Sequence, residues 1–171
     1  MKDPNFVRTV VMLCEHHDEG SFGLILNKPI EARLAQVLPD DIDKEAFDIP
    51  LYYGGPCEAN TLHFLHTIPD LPEALEISKG LFWGGNFEDL KDRIILNEVE
   101  EDMIRFFIGY SGWGADQLKD ELKRSDWIVD GVQKIHTLFE DDPDVLWRET
   151  LRNKGGNYKM MANFPIDPRL N

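Results

Sequence analysis

The sequence predicts an α+β fold, a single compact domain with a largely antiparallel sheet, and three observations predict it. Apolar runs rich in β-branched and aromatic residues, bounded by Gly, Pro or Asn, recur along the chain as short strands do. Helical spacings fall between only some of those runs, so the regular βαβ alternation of a doubly wound sheet is missing. No dinucleotide-binding glycine fingerprint follows any strand. At 171 residues, 42% hydrophobic and 11% aromatic, the chain suits one domain that buries roughly 70% of its unfolded surface. Residues 1–155 are assigned to that domain. Residues 156–171, with Pro165 and Pro168, read as an irregular tail.

In chain order, Val7–Cys14 reads as a buried strand, and the polar segment Glu15–Ser21 turns it into Phe22–Leu26 as a hairpin. Asn27-Lys28-Pro29 opens a short helix carrying Leu34 and Leu38, ended by Pro39, and residues 40–49 form an acidic surface loop. Leu51–Tyr53 enters a Gly54-Gly55-Pro56 turn. Thr61–Thr67 is a strand, and Ala74–Ser78 follows a connection bracketed by Pro69 and Pro72. Phe82-Trp83 leads through Gly84-Gly85 to Asn86, an N-cap for a helix through Leu90. Ile104–Ile108 is a strand with Ile104, Phe106 and Ile108 on one face. A glycine-rich loop then leads to a helix over Gln117–Lys123 with Leu118 and Leu122 inward. The last helix has Asp142 as N-cap, Pro143 at N1, Trp147 and Leu151 as an apolar pair and Gly155 as its stop.

Charge excludes function classes. The net charge is −14, from 32 acidic and 18 basic residues, while DNA binding draws its non-specific affinity from Lys and Arg on phosphates. Arg148, Arg152, Lys154 and Lys159 gather near the C-terminus, but cations in a last helix turn are expected from the macrodipole alone. Direct nucleic-acid binding is not expected. No apolar run approaches the ~18 residues of a membrane span, and Met1-Lys2-Asp3-Pro4 starts no signal peptide, so the expected location is the cytoplasm, with no membrane association. Cys14 and Cys57 lack ligand spacing and read as thiols, not a disulfide.

Three aromatic–glycine turns are the candidate site: Tyr53, Gly54 and Gly55; Trp83, Gly84 and Gly85; and Tyr110, Ser111, Gly112, Trp113 and Gly114. Converging, their backbone N–H groups would line a ligand or anion pocket walled by aromatics. Apart, each is a strand-ending turn. Ser111 sits in a partial nucleophile elbow, but Trp113 stands where the last glycine belongs, and no His–acid pair is in register. His16 and His17 sit in a hairpin turn. His63 and His66, at i,i+3 on a strand, point to opposite sides, against a metal site. No Walker loop, H-E-x-x-H or C-x-x-C occurs, and neither metal nor cofactor is expected.

Ordered motifs carry a family resemblance: Asp3-Pro4-Asn5-Phe6-Val7, Gly23-Leu24-Ile25-Leu26-Asn27-Lys28-Pro29, Tyr53-Gly54-Gly55-Pro56, Leu62–Thr67, Gly80–Gly85 and Phe107–Gly114. The chain resembles the AlgH/YqgE family of bacterial proteins over nearly its whole length. The resemblance implies a bent sheet curling into a partial barrel with a few flanking helices. It implies no established activity. The family's transcriptional-regulator label comes from association with control of exopolysaccharide synthesis, and members often occur beside a gene for a Holliday-junction-resolvase-like protein. Members usually carry a further apolar stretch before the Asp-Pro motif, so a chain starting there leaves one sheet edge unpaired. They often have alanine at the position of Ser111. The expected function is a non-enzymatic regulatory or adaptor protein that acts through a protein partner or small ligand at the aromatic–glycine turns. The alternative is a small hydrolase with an anion-binding pocket there.

Overall fold

The computed structural model describes residues 3–39, 44–131, 135–139 and 142–164. Asp3 accepts from the Asn5 N–H and caps a 3-10 turn over Pro4–Phe6, so strand β1 runs over Val11–His17, later than the apolar run suggests. Asp18 and Glu19 form the hairpin tip, and β2 covers Gly20–Ile25. The predicted helix after Asn27 is instead a strand, β3 at Pro29–Arg33, followed by a 3-10 turn at Leu34–Gln36. Strand β3 pairs with β4, Pro50–Tyr53, which satisfies backbone groups that a two-turn helix would leave open. Proline as the first residue of an outer strand sacrifices no ladder bond. Of the predicted acidic loop, 40–43 lie outside the described residues, while Phe47 is fully buried in the core.

Strand β5 spans Cys57–His66, β6 Leu75–Ser78 and β7 Leu81–Trp83. Helix α1, Phe87–Ile95, starts as predicted, with the Asn86 side chain accepting from the Asp89 N–H. Strand β8 covers Ile104–Gly114, so the predicted glycine-rich loop is strand. Helix α2 is Gln117–Lys123, and α3 is Pro143–Lys154, capped by Asp142. The predicted irregular tail is corrected in part: Gly156–Met161 forms helix α4, packed on α3, and 165–171 lie outside the described residues.

The sheet order is β1-β2-β8-β5-β7-β6, with β4 pairing both β3 and β8. Every pairing is antiparallel except β4 with β8. The result is α+β, with the sheet bent into a partial barrel. Strand β8 is its spine, because β4 and β5 take its first half and β2 its second. Successive residues supply two cores. Ile104 and Phe106, with Ile108 against them, join Leu51, Phe64 and Leu90, while Phe107 joins Met12, Leu24 and Leu65. A strand buried on both faces must be apolar at consecutive positions, which is what 104–108 shows. Gly109, at φ +66°, interrupts that alternation where the β5–β8 register shifts.

His66 lies where the sheet closes on β7. The Ile68 N–H donates to its Nδ1 at 3.2 Å, and its Nε2 donates to the Gly84 carbonyl at 2.8 Å. Those partners fix the neutral tautomer, since a second ring proton would face an N–H. Burial lowers its pKa, and hydrogen bonds to the Gly84 and Ile68 backbone offset this only in part. Burial lowers His63 as well. Unfolded histidine titrates at ~6.5, so below that pH the unfolded chain binds more protons and stability decreases as pH decreases. Denaturant unfolding should show stability steady above pH 7 and declining towards pH 5, and His66→Gln should flatten part of that decline. An unchanged slope in the variant assigns the proton uptake elsewhere.

Candidate functional site

The first and last of the three aromatic–glycine turns pack together backbone against backbone, without room between them. The Gly54 N–H donates to the Ile108 carbonyl at 2.9 Å, and Gly54 and Gly55 pack backbone against backbone on Gly109, Tyr110 and Ser111. A Cβ on Gly54 would lie 2.2 Å from the Gly109 oxygen, so these glycines serve close approach, not anion binding. The Gly84-Gly85 pair lies elsewhere. The Gly84 N–H donates to the Phe64 carbonyl, and Gly85 packs on Leu71. Phe64 faces Phe106 across the ladder, four residues from Tyr110, a separation of roughly 13 Å.

The aromatics of those turns divide between clusters. Trp83 and Tyr110 meet through Phe22, at ring-centroid distances of 4.7 and 4.9 Å, with His63 beside them. Gly112 leaves room for the Tyr110 ring. Tyr53 stands apart, its hydroxyl donating to Asn5 Oδ1 under the Lys28 ammonium. The Gly114 N–H donates to Gln117 Oε1 at the start of α2.

Ser111 is fully buried in β8, and its Oγ donates to the Gly54 carbonyl at 3.0 Å. The strand–turn–helix context of a nucleophile elbow is absent, and the hydroxyl acts as a structural bond. Ser111→Ala should cost only about 1 kcal/mol, because the Gly54 oxygen keeps the Ile25 N–H. Thermal unfolding checks this value.

Trp113 leads to a different site. Its indole N–H donates to Glu121 at 2.9 Å, Trp127 donates to the same carboxylate oxygen at 2.7 Å, and Gln117 donates to the other. Burial by itself raises the Glu121 pKa, but the three donors outweigh it and hold the carboxyl below its ordinary range. The clamp fixes α2 and residues 127–131 against β8 and leaves a gap between them and β1.

That gap is an apolar groove of about 470 Å³. Its floor is Met12, Leu26, Leu138 and Leu146, all buried in the core. One wall is Trp113, Leu118, Leu122, Trp127, Ile128 and Val129, and the other is β1 from Val11 to Leu13. Leu118 and Leu122 thus line the groove and do not enter the core as predicted. Leu122 is 39% exposed, Leu13 40% and Val129 63%, a cluster of large apolar residues left to solvent along one seam. Of the predicted site residues only Trp113 lines it. The i,i+4 spacing of Leu118 and Leu122 was the one visible signal, and it reads equally as a core-facing helix.

Known proteins place this architecture. A family model described as AlgH-like matches residues 1–159. The chain belongs to the AlgH-like family. Among relatives, it is 42% identical over 172 residues to a UPF0301 protein of Chlorobaculum parvum, covering 99% of this chain and 89% of that one. It is 42% identical over 171 residues to a UPF0301 protein of Cytophaga hutchinsonii, covering 99% and 92%. The solution structure of the AlgH protein from Pseudomonas aeruginosa matches with a TM-score of 0.77 and 28% identity, over 98% of this chain and 89% of that one. A Corynebacterium diphtheriae crystal structure, at 20% identity, shares the fold with a TM-score of 0.75 over 96% and 86%. Among the described residues of this AlgH-like protein, no helix is long and apolar enough to cross a membrane, and no three His, Cys, Asp or Glu side chains gather as a metal site.

Proposed function

We propose that this protein is a non-enzymatic regulatory adaptor that acts in the cytoplasm by holding a protein partner in the groove beside β1. The observation that carries this reading is the groove itself: a mostly apolar seam on a strongly acidic protein. Seams of this kind mark contact surfaces. A regulatory role through a partner, in place of direct DNA contact, is supported by the charge of −14 and by the engagement of three of the four C-terminal bases. Arg148 pairs with Asp144, Arg152 donates to Asn163, and Lys154 donates to the Val129 carbonyl. The hydrolase alternative draws no support from Ser111, which is buried, or from Gly54 and Gly55, which are packed against strand.

Complementation of a deletion strain tests the reading. Leu122→Asp places a charge in the seam at a solvent-exposed position and should preserve the circular dichroism and melting temperature. It should fail to restore the wild-type transcript profile, while Ser111→Ala restores it. A fully active Leu122→Asp variant overturns the groove as the working surface.

A further inference from the structure

Phe22, His63, Trp83 and Tyr110 stand on β2, β5, β7 and β8, four adjacent strands that are each paired on both sides. Their rings meet at centroid distances from 4.7 to 6.3 Å, too close for a bound group to enter between them. Phe22, Trp83 and Tyr110 rest on the core cluster of Met12, Leu24 and Phe107, and all four aromatic residues stay half-buried. What they present to solvent is a shallow ring surface, suited to face contact and not to enclosure. None of them lines the groove.

The polar groups beside the rings are acceptors. Strand β5 bulges where its register with β8 shifts, between Cys57, which pairs with Tyr110, and Leu62. Glu58 takes φ +44° in that bulge, is exposed, and makes no ion pair among the described residues. Burial and then the Glu58 carboxylate raise the Tyr110 pKa, and burial lowers that of His63 against the same carboxylate, so Glu58 lies beside both rings. The Thr61 hydroxyl donates to the Glu58 carbonyl at 2.8 Å, so its oxygen accepts from His63 Nε2 at 3.0 Å. That tautomer leaves His63 Nδ1 an acceptor. A carboxylate, an imidazole acceptor and the negative faces of Phe22, Trp83 and Tyr110 together call for a cation. A guanidinium is planar: it stacks on an open ring and donates in its own plane to a carboxylate. A quaternary ammonium needs walls on several sides, and a nucleic acid would bring phosphates to a chain of charge −14. Leu75, opposite Trp83 on β6 and 46% exposed, continues the surface as an apolar shoulder.

We infer that this aromatic face docks an arginine of a second protein, its guanidinium stacked on the ring surface and paired with the Glu58 carboxylate. Apolar residues flanking that arginine lie against Leu75 and Trp83. An arginine anchor among aromatic rings is a common centre of binding energy in protein interfaces. This surface and the groove share no residue, so either can fail without the other.

Titration of N-acetyl-arginine amide into the isotope-labelled full chain, followed by NMR, should shift the Trp83 indole signal and the backbone signals of Glu58 and Tyr110. The citrulline derivative, of the same shape without the charge, should bind at least about threefold more weakly. Glu58→Gln, at an exposed position, should keep the melting temperature and weaken arginine binding by at least about threefold. Glu101→Gln, an exposed carboxylate elsewhere, should leave binding unchanged. The same arginine flanked by leucines in a short peptide should bind at least about tenfold more tightly than the amide, and a lysine counterpart more weakly than the arginine peptide. Equal binding of the arginine and citrulline amides overturns the inference. So does full binding by Glu58→Gln, or an equal loss in Glu101→Gln, which would make the attraction diffuse. No gain in the peptide makes a free guanidinium compound the ligand and overturns docking. A lysine peptide as tight as the arginine peptide overturns the stacked geometry. Unmoved signals at Trp83, Glu58 and Tyr110 with every probe sink the site.

Discussion

Gly55→Ala should destabilise the protein by about 3–5 kcal/mol, the sum of a strained backbone and an overpacked site. Gly55 sits at φ +152°, and a Cβ there would lie 2.3 Å from the Tyr110 carbonyl carbon and oxygen and 2.4 Å from the Ser111 nitrogen. All three atoms belong to the backbone of β8, which bonds to β2, β4 and β5 and therefore has nowhere to move. A domain's whole stability is about 5–15 kcal/mol, so one methyl group removes much of it. For a chain of this size the melting temperature should fall by roughly 6–20 °C. Gly114→Ala is the control, because its Cβ would meet only Gln117 Oε1, at 4.0 Å, and it should cost under about 1 kcal/mol. Equal melting temperatures for Gly55→Ala and wild type would show that the β4 turn is not packed as described.

Arg105→Met should cost about 3–4 kcal/mol. Arg105, the second residue of β8, is 3% exposed, and its guanidinium donates to the Leu26 carbonyl at 3.0 Å and the Leu138 carbonyl at 3.1 Å. It also lies 4.1 Å from the Tyr52 ring centroid. Methionine keeps much of the aliphatic volume but donates nothing, so two buried carbonyls lose a partner and residues 135–139 lose their tie to the sheet. Leu138 floors the groove, which links this stabilising contact to the proposed working surface. Arg105→Lys, whose donors all sit on one nitrogen, should retain part of the lost stability. Urea midpoints for the three proteins test the order wild type, Lys, Met, and a methionine variant as stable as wild type would refute the role of the arginine.

How much was legible in the sequence follows from whether a signal is local. Asn86 and Asp142 announced their helices, because a capping side chain bonds to an N–H two or three residues on. The alternation Ile104, Phe106, Ile108 announced one core face, because strand side chains alternate by geometry alone. Pro29–Arg33 failed for the converse reason. Its spacing suited a helix, and only pairing with β4 made it a strand. Residues 109–114 misled in another way. Three glycines in six positions read as a loop, yet they are strand residues placed where backbone and rings crowd together. Glycine reports that space is short or φ unusual, but not which neighbour takes the space.

The sequence by itself determined the α+β class, the acidic surface, the helix starts and, through its ordered motifs, the family. These rest on composition, on bonds between near neighbours in the chain and on matched residues. Tertiary structure alone decided which glycines meet and that the Ser111 hydroxyl is spent on the Gly54 carbonyl. It also decided the groove. Trp113, Trp127 and Glu121 come from three segments, and β1 lies about a hundred residues earlier in the chain, so no local pattern could bring them to one seam.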